Sequence, residues 1–161
     1  TFAAVLLMLI YIAFRFQVSS AFAAIICLVH DVLMMLLAYL VFQIPVSSTI
    51  IAAILTIVGY SINATIVIFD RIRENLKEMT NESMEEIVNK SITQSLSRSI
   101  FTSATTFFMV AALCLFGATS LVEFALPLMV GIICGTFSSI CLTGPIWYLL
   151  RKYFVKKESE D

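Results

Sequence analysis

Long apolar runs, with most of the ionisable residues between or after them, constrain this chain more than any other feature of its sequence. A helix needs roughly 20 apolar residues to cross the hydrocarbon of a bilayer. Five apolar runs occur; four are about that long or longer, and the first, residues 1–14, is shorter. With 60% hydrophobic and 13% charged residues, the chain has too little charge to cover a soluble domain. We therefore predict an all-α fold, a polytopic membrane helix bundle with five transmembrane helices.

The predicted spans follow these runs. They cover about 1–14, 18–42, 46–69, 99–117 and 124–150, with a helical connector at 70–98 and a tail at 151–161. The first run begins at Thr1 without the basic start or the cleavage site of a signal peptide. We interpret it as a spanning helix whose outer end was cut off in a fragment of a longer chain.

The basic residues predict the orientation of these spans. If each run crosses once, all 10 Lys and Arg residues fall on one side, and the loops near 43–48 and 117–123 carry none. Cytoplasmic loops of membrane proteins carry such an excess of positive charge. We expect the 70–98 connector and the tail to be cytoplasmic and Thr1 to point outward. An odd number of spans with an outward start suggests a missing upstream span, with room for an outside domain.

The 70–98 connector is the one substantial polar segment. Its apolar residues recur at near-helical spacing, and Ser83 to Glu86 has the form of a capping box, in which each residue bonds the other's backbone amide. We expect the helix before it to pass Asp70, turn near Thr80–Asn81, and restart at the cap. The connector can be a solvated amphipathic segment, a docking surface, or both.

His30 and Asp31 lie in the middle of the 18–42 run, where an ionisable side chain costs roughly 3 kcal/mol unless it faces protein or water. They are about 100° apart on a helix and cannot both face one neighbour directly. In a structural interpretation they bond adjacent spans. In a functional one, Asp31 titrates as an ion or proton passes.

A polar stripe climbs into the bilayer from the connector through Arg98. On a helix, five polar residues fall within about 60° of Arg98: Ser91, Gln94, Ser95, Thr102 and Thr105. Snorkelling of the guanidinium to the interface explains Arg98 but not the hydroxyls above it. The stripe either forms hydrogen bonds with a neighbouring helix or lines a water-filled path.

The 46–69 run carries an amide, Asn63, on one side with Gly59 and Asp70, whereas Ala64 shares another side with Tyr60. Because an amide does not titrate, Asn63 alone predicts structural hydrogen bonding. This helix lacks a proton carrier within the membrane.

Small residues at Gly131 and Gly135 form a GxxxG pair in the last run. This spacing lets two helix backbones approach closely, and we predict packing within the chain.

The four cysteines lie singly in apolar runs, and the chain has one His, so neither a zinc site nor any other metal site is expected. No nucleophile–base pair or phosphate-binding loop is present either. We therefore predict neither enzymatic activity nor a cofactor, and no nucleic-acid partner.

Residues 59–75, GYSINATIVIFDRIREN, resemble the signature of the SecF family of protein-export membrane proteins, and the likeness covers the whole chain. His30-Asp31 resembles its "HD" pair, residues 91–98 with the following threonines resemble its next block, and residues 128–139 resemble its last span. The FDRIREN motif includes Asp70, Arg71, Arg73 and Glu74.

The resemblance implies a bacterial or archaeal cytoplasmic-membrane subunit of the resistance-nodulation-division superfamily. Such a subunit pairs with SecD in a pseudo-symmetric twelve-span unit and works beside the SecYEG channel on a secreted polypeptide. It is thought to couple inward flow of an ion, proton or sodium, to late steps of export. Arg98 matches an arginine that is important in the family. The residues then expected to line the interface with SecD are Arg98, Asn63, Thr65, Thr102 and Thr105.

Ala64 departs from the family pattern Asn-Asp-Thr, whose Asp is a proposed proton-relay group. A methyl group cannot accept a proton, so the substitution is either natural to a branch or engineered. A branch could use a carboxylate of SecD, Asp31, or a different ion.

Two other functions compete with this one. A lipid or drug exporter of the same superfamily shares the helix pattern, although such proteins carry both halves in one chain and their motifs differ from FDRIREN. The other is a membrane scaffold without ion coupling, which Ala64 makes less remote than it would otherwise be.

Overall fold

The structure is a computed structural model that describes residues 18–79 and 81–158. Within these ranges it is all helical: α1 spans Val18–Val41, α2 Thr49–Glu78, α3 Met84–Phe116, α4 Thr119–Phe137 and α5 Thr143–Glu158, with a π-helical turn at Ser138–Leu142 between the last two.

Four helical segments in the described ranges are long and apolar enough to cross a bilayer: Ser19–Val41, Thr49–Glu78, Met84–Phe116 and Leu121–Tyr153. The all-α class is confirmed there, and so are four apolar helices. The remaining predicted span, 1–14, lies outside the described residues, so the count of five stays a prediction.

The bundle is apolar outside and partly polar inside. On α1, large side chains such as Leu33 and Leu40 are exposed, whereas Asp31 of the same helix is fully buried. The buried polar residues elsewhere include Ser19, Ser20, Ser61, Thr65, Asn75, Ser91, Ser138, Ser139 and Thr143. This arrangement suits lipid, which solvates Leu and offers a hydroxyl no hydrogen-bond partner.

Two apolar clusters pack the interior, one toward each end of the bundle. The first contains Val58, Ile68 and Trp147, and the second contains Met35 and Leu128. Asp31 of α1 lies between Leu28 of the first cluster and Met35 of the second, and Ser138 of the π turn lies between Ile132 of the second cluster and Trp147 of the first. Ser61 of α2 lies within the first cluster, close to its border with the second at Ile57. We call these three buried polar residues the polar layer.

The connector is helical up to its turn, as the sequence indicates. α2 runs past Asp70 to Glu78, and both bonds of the predicted capping box are present at the start of α3. The backbone amide of Ser83 donates to Glu86 Oε2 at 2.9 Å and its hydroxyl at 2.8 Å, and these bonds hold the pKa of Glu86 below its usual value. The predicted cap is confirmed.

The other two loops are short. Gln43, in the loop before α2, has a φ of 52°, and Gly117 ends α3. Because α4 begins at Thr119, helical backbone starts ahead of the predicted span at 124.

The π-helical turn was not expected from the sequence. The amide of Thr143 bonds the carbonyl of Ser138, five residues back, so one extra residue is accommodated in the turn. Ser138 and Ser139, which follow the GxxxG pair, lie within this π turn. Pro145, which has no N–H to donate, follows directly.

Candidate functional site

A buried carboxylate lies in the polar layer of the bundle. Asp31 on α1 is fully buried, and Oδ2 accepts hydrogen bonds from the Ser61 hydroxyl of α2 and, at 2.8 Å, from the Ser138 hydroxyl of the π turn. Oδ1 lies 3.0 Å from Nδ1 of His30. We call His30, Asp31, Ser61 and Ser138 the Asp31 site.

Neighbouring residues position the groups around the Asp31 carboxylate. Ser61 lies on the buried face of α2 that also carries Thr65, four residues on. Gly135 leaves space beside the carboxylate, since a Cβ at this position would lie 3.5 Å from Asp31 Oδ2. The hydroxyls satisfy a carboxylate that lipid or an apolar core would leave without partners.

A second polar site opens on the surface between α2 and α3. It is a cleft of about 60 Å³, which we call the Arg98 cleft. Its lining residues are Tyr60, Asn63, Ala64, Val67, Arg98, Ser99, Thr102 and Ser103. Arg98 and Asn63 are exposed, so the guanidinium and the amide are available to a group outside the chain.

Hydrogen bonds join the wall of this cleft to α4. The Tyr60 hydroxyl donates to Ser103 Oγ at 2.7 Å, and Thr136 Oγ1 lies 2.7 Å from the same oxygen. A Cβ added at Gly135 would contact both Asp31 and the Tyr60 ring. The two sites therefore meet the same stretch of α2, because Tyr60 faces the cleft and Ser61 faces Asp31.

The structure brings only some of the predicted residues together. Arg98, Thr102, Asn63 and Ala64 share the cleft. Thr65 does not line it, because this side chain is 2% exposed and lies inside the bundle.

Asp31 belongs to the separate buried site. Thr105 is exposed and bonds only the backbone of its own helix in the described structure, at Phe101 and Thr102. The central residues of the predicted stripe, Arg98 and Thr102, thus line the cleft. Ser91 and Ser95, at the end of the stripe nearer the connector, are buried.

Comparison with known proteins identifies the family. Residues 1–153 match the family described as protein export membrane protein SecD/SecF, C-terminal. The chain belongs to this family.

Named SecF relatives extend that match. The chain is 46% identical over 147 residues to the protein translocase subunit SecF of Borreliella burgdorferi, which covers 91% of this chain and 49% of the relative. It is 44% identical over 158 residues to SecF of Alicyclobacillus acidocaldarius, covering 96% of this chain and 51% of the relative. The chain thus spans about half the length of these curated relatives.

Solved SecDF structures share the fold. The crystal structure of SecDF in a super-membrane-facing form has a TM-score of 0.88 and 41% identity, covering 97% of this chain and 21% of that one. SecDF from Thermus, a translocon-associated membrane protein, has a TM-score of 0.84 and 43% identity, covering 89% of this chain and 20% of that one. The resemblance to SecF inferred from residues 59–75 is confirmed.

The SecF-like motif FDRIREN lies on the polar extension of α2 that the sequence predicts. Arg71 donates to Glu74 on the same helix and, at 2.7 Å, to Gln94 on α3. The second of these bonds connects α2 to α3. Asp70, Arg73 and Glu74 line an open surface depression with Lys77. The predicted packing pair also has contacts within the chain: Gly131 lies against Ile57 of α2, and Gly135 against Asp31.

Sequence reasoning missed six residues of the two sites: Ser61 and Ser138 at the Asp31 site, and Tyr60, Val67, Ser99 and Ser103 in the Arg98 cleft. The spacing of Ser61 and Thr65, four apart in an apolar run, was a signal for a buried polar face. No sequence signal paired Ser138 with Asp31, since 107 positions separate them.

Proposed function

We propose that this chain acts as an auxiliary subunit of the Sec protein translocase. Together with SecD it couples an ion gradient to late steps of protein export across the cytoplasmic membrane. The names of its relatives, protein translocase subunit SecF, support this function. Its other partners are the SecYEG channel and the secreted polypeptide, and it carries out no enzymatic reaction of its own.

The observation that carries the proposal is the open Arg98 cleft. A guanidinium near apolar surface is costly unless it pairs. In the described parts of the chain no carboxylate forms an ion pair with Arg98. Ala64, beside it in the cleft, cannot supply one. The cleft is therefore completed from outside by SecD, whose carboxylate pairs with Arg98 and responds to the ion.

Substitution of Arg98 tests this function. We expect Arg98→Ala and Arg98→Lys to lower gradient-dependent secretion roughly tenfold or more while the complex with SecD still assembles. The reason is that a bond to a charged group contributes about 1.5–3 kcal/mol, and lysine lacks the planar fork of donors. Secretion of a reporter by vesicles, normalised to protein level, measures the effect.

The matched control is Lys90→Ala, which removes a basic residue of the same helix outside the cleft. Lys90 is exposed and lies 3.4 Å from Glu82, so its loss should leave secretion within about twofold of wild type, as expected for a surface ion pair. Normal export by both Arg98 variants at equal protein level would refute the role of the cleft.

One observation favours a second function, a membrane scaffold without ion coupling. The methyl group of Ala64 occupies the cleft position where a proton carrier would be expected. Export measured with and without an ion gradient separates the two functions. A scaffold supports the same export under both conditions, whereas a coupled subunit loses its contribution when the gradient is collapsed.

A further inference from the structure

Asp31 has the surroundings of a group that changes its protonation state without rearranging the helices around it. Its two oxygens have different partners. Oδ2 accepts from two hydroxyls, Ser61 and Ser138, each fixed on a different helical segment. Among the described residues, the titratable hydrogen-bond partner of Oδ1 is the imidazole of His30, at 3.0 Å.

The imidazole connects this buried oxygen to the surface of the bundle. The side chain of Asp31 is fully buried, whereas that of His30 is 35% exposed. Because Nδ1 of His30 faces Asp31, the other ring nitrogen, Nε2, is the one left to exchange a proton with the surroundings.

We propose that His30 and Asp31 form a proton-binding pair in which the imidazole passes protons to and from the buried carboxylate. In the ionised state, Nδ1–H of neutral His30 donates to Oδ1 of the carboxylate. A proton then binds Nε2, and the Nδ1 proton moves to Oδ1.

The products are a neutral carboxylic acid and a neutral imidazole that carries its hydrogen on Nε2. One proton has been added in total, and one unit of negative charge has been neutralised. The new O–H donates back to Nδ1, so that every hydrogen bond at the site keeps a donor and an acceptor. Ser61 and Ser138 keep their bonds to Oδ2 throughout.

The other titratable groups near Asp31 differ from His30. Cys27 on α1 lies beside Thr143, with its sulfur 3.4 Å from the threonine hydroxyl, and Cys134 lies on α4. Tyr60 of α2 flanks Gly135 but directs its hydroxyl to Ser103. The imidazole is the group with a nitrogen in contact with the carboxylate, which makes it the route for the proton.

Proton binding by the pair does not depend on the proposed function; only its use in export rests on that function. In a SecF-like chain with Ala64, the pair supplies a proton-binding group inside the membrane bundle. Whether Asp31 binds a proton can be measured without any export assay, so the two proposals can fail separately.

Infrared spectroscopy of the full-length protein in liposomes tests the pair. The carbonyl stretch of a protonated carboxyl group is absent from an ionised one. Because the chain has 11 Asp and Glu residues, the band of Asp31 is read from the difference between the wild-type and Asp31→Asn spectra. We expect this difference band to appear as pH falls, and Asp31→Glu to restore it at a shifted frequency. A difference spectrum without a pH-dependent carbonyl band would overturn the proposal.

His30→Gln tests the relay, because glutamine bonds Asp31 but cannot transfer a proton between two nitrogens. We expect deuterium exchange at the carboxyl group to slow roughly 100-fold, the lower end of a general acid–base contribution. Ser139→Ala is the control, because that buried hydroxyl bonds the Thr136 carbonyl and not Asp31. Exchange in His30→Gln as fast as in this control would refute the relay. Because Asp31 is unchanged in both variants, the comparison reports on the imidazole alone.

Discussion

Single polar residues join the helices of this bundle where they meet. Asn75, fully buried on α2, donates from Nδ2 to Ser91 Oγ at 2.7 Å and to Gln94 Oε1 at 2.9 Å on α3. Between α5 and α1, Trp147 Nε1 donates to Ser20 Oγ at 2.8 Å. Such bonds each contribute about 0.5–1.5 kcal/mol net, and removal of one partner costs more because the other stays buried. They orient the faces of apolar helices that would otherwise pack in several ways.

Removing the Asn75 amide should destabilise the junction of α2 and α3. We expect Asn75→Ala to lower the free energy of unfolding by about 1–3 kcal/mol, since the buried Ser91 hydroxyl loses its donor. Asn89→Ala, an exposed site on α3, should change it by less than about 0.5 kcal/mol. Denaturant titration in detergent measures both variants. Equal stability of the two would show that the amide contributes little.

At the scale of helices, α4 packs closely on α2 at one glycine of the GxxxG pair. A Cβ at Gly131 would lie 2.5 Å from Cδ1 and 2.8 Å from Cγ1 of Ile57. A Cβ at Gly135 would lie 3.5 Å from its nearest neighbour, an ordinary contact, and a Cβ at Gly59 would meet nothing within 4 Å. The three glycines therefore differ in what they do: only the first is needed for space.

Alanine at each glycine should separate these roles. Gly131→Ala should destabilise the protein by about 1–3 kcal/mol through overpacking, with partial rescue by Ile57→Val, which removes the Cδ1 methyl. Gly59→Ala should stabilise it by about 0.5–1 kcal/mol, as expected for a helix interior with free space. Thermal unfolding in the same detergent compares them. A tolerated Gly131→Ala would mean that the two helices are farther apart.

The π turn is the other element that determines the site. It starts at Ser138, whose hydroxyl donates to Asp31, and ends just before Thr143, whose hydroxyl contacts Cys27. Both contacts are with α1 and lie on either side of the extra residue. A regular helix would turn everything beyond it by about 100°, because each residue of an α-helix rotates by that amount. The π turn thus lets one segment bond α1 both at the Asp31 site and below it.

At the scale of the whole molecule, the arrangement of polarity is that of a membrane protein. Apolar residues such as Phe101 and Phe108 of α3 are 72% and 70% exposed, whereas Asp31 is fully buried. The charged connector is at one end of the helices, and the loop at 42–48 is at the other. The orientation predicted from the basic residues, with the connector and tail in the cytoplasm, stays a prediction.

Cysteine labelling tests this orientation. In a background without the native cysteines, Ser47→Cys should react with a membrane-impermeant maleimide in intact cells, since Ser47 is exposed in the loop that we predict to lie outside. Lys90→Cys, exposed in the connector, should react only after the membrane is permeabilised. The opposite pattern would reverse the proposed topology without affecting the fold.

The sequence by itself determined the features that depend on local chemistry. Apolar length and the need to pair every backbone group in lipid make helices of 18–42 and 46–69 the only satisfactory structure. The Ser83–Glu86 cap also follows from neighbouring residues, and the resemblance carried by residues 59–75 identified the family.

Tertiary structure alone decided which polar groups meet. Ser61 and Ser138 bond Asp31 across 30 and 107 positions, and Tyr60 bonds Ser103 across 43. Thr65, adjacent to Ala64 in sequence, turned inward because one residue rotates the side chain by about 100°. Such contacts depend on how the helices cross. The contact of Ser138 also depends on the π turn, in which the backbone bonds five residues back. Helical periodicity gives the face of each residue on its own helix, but not the neighbour that this face meets.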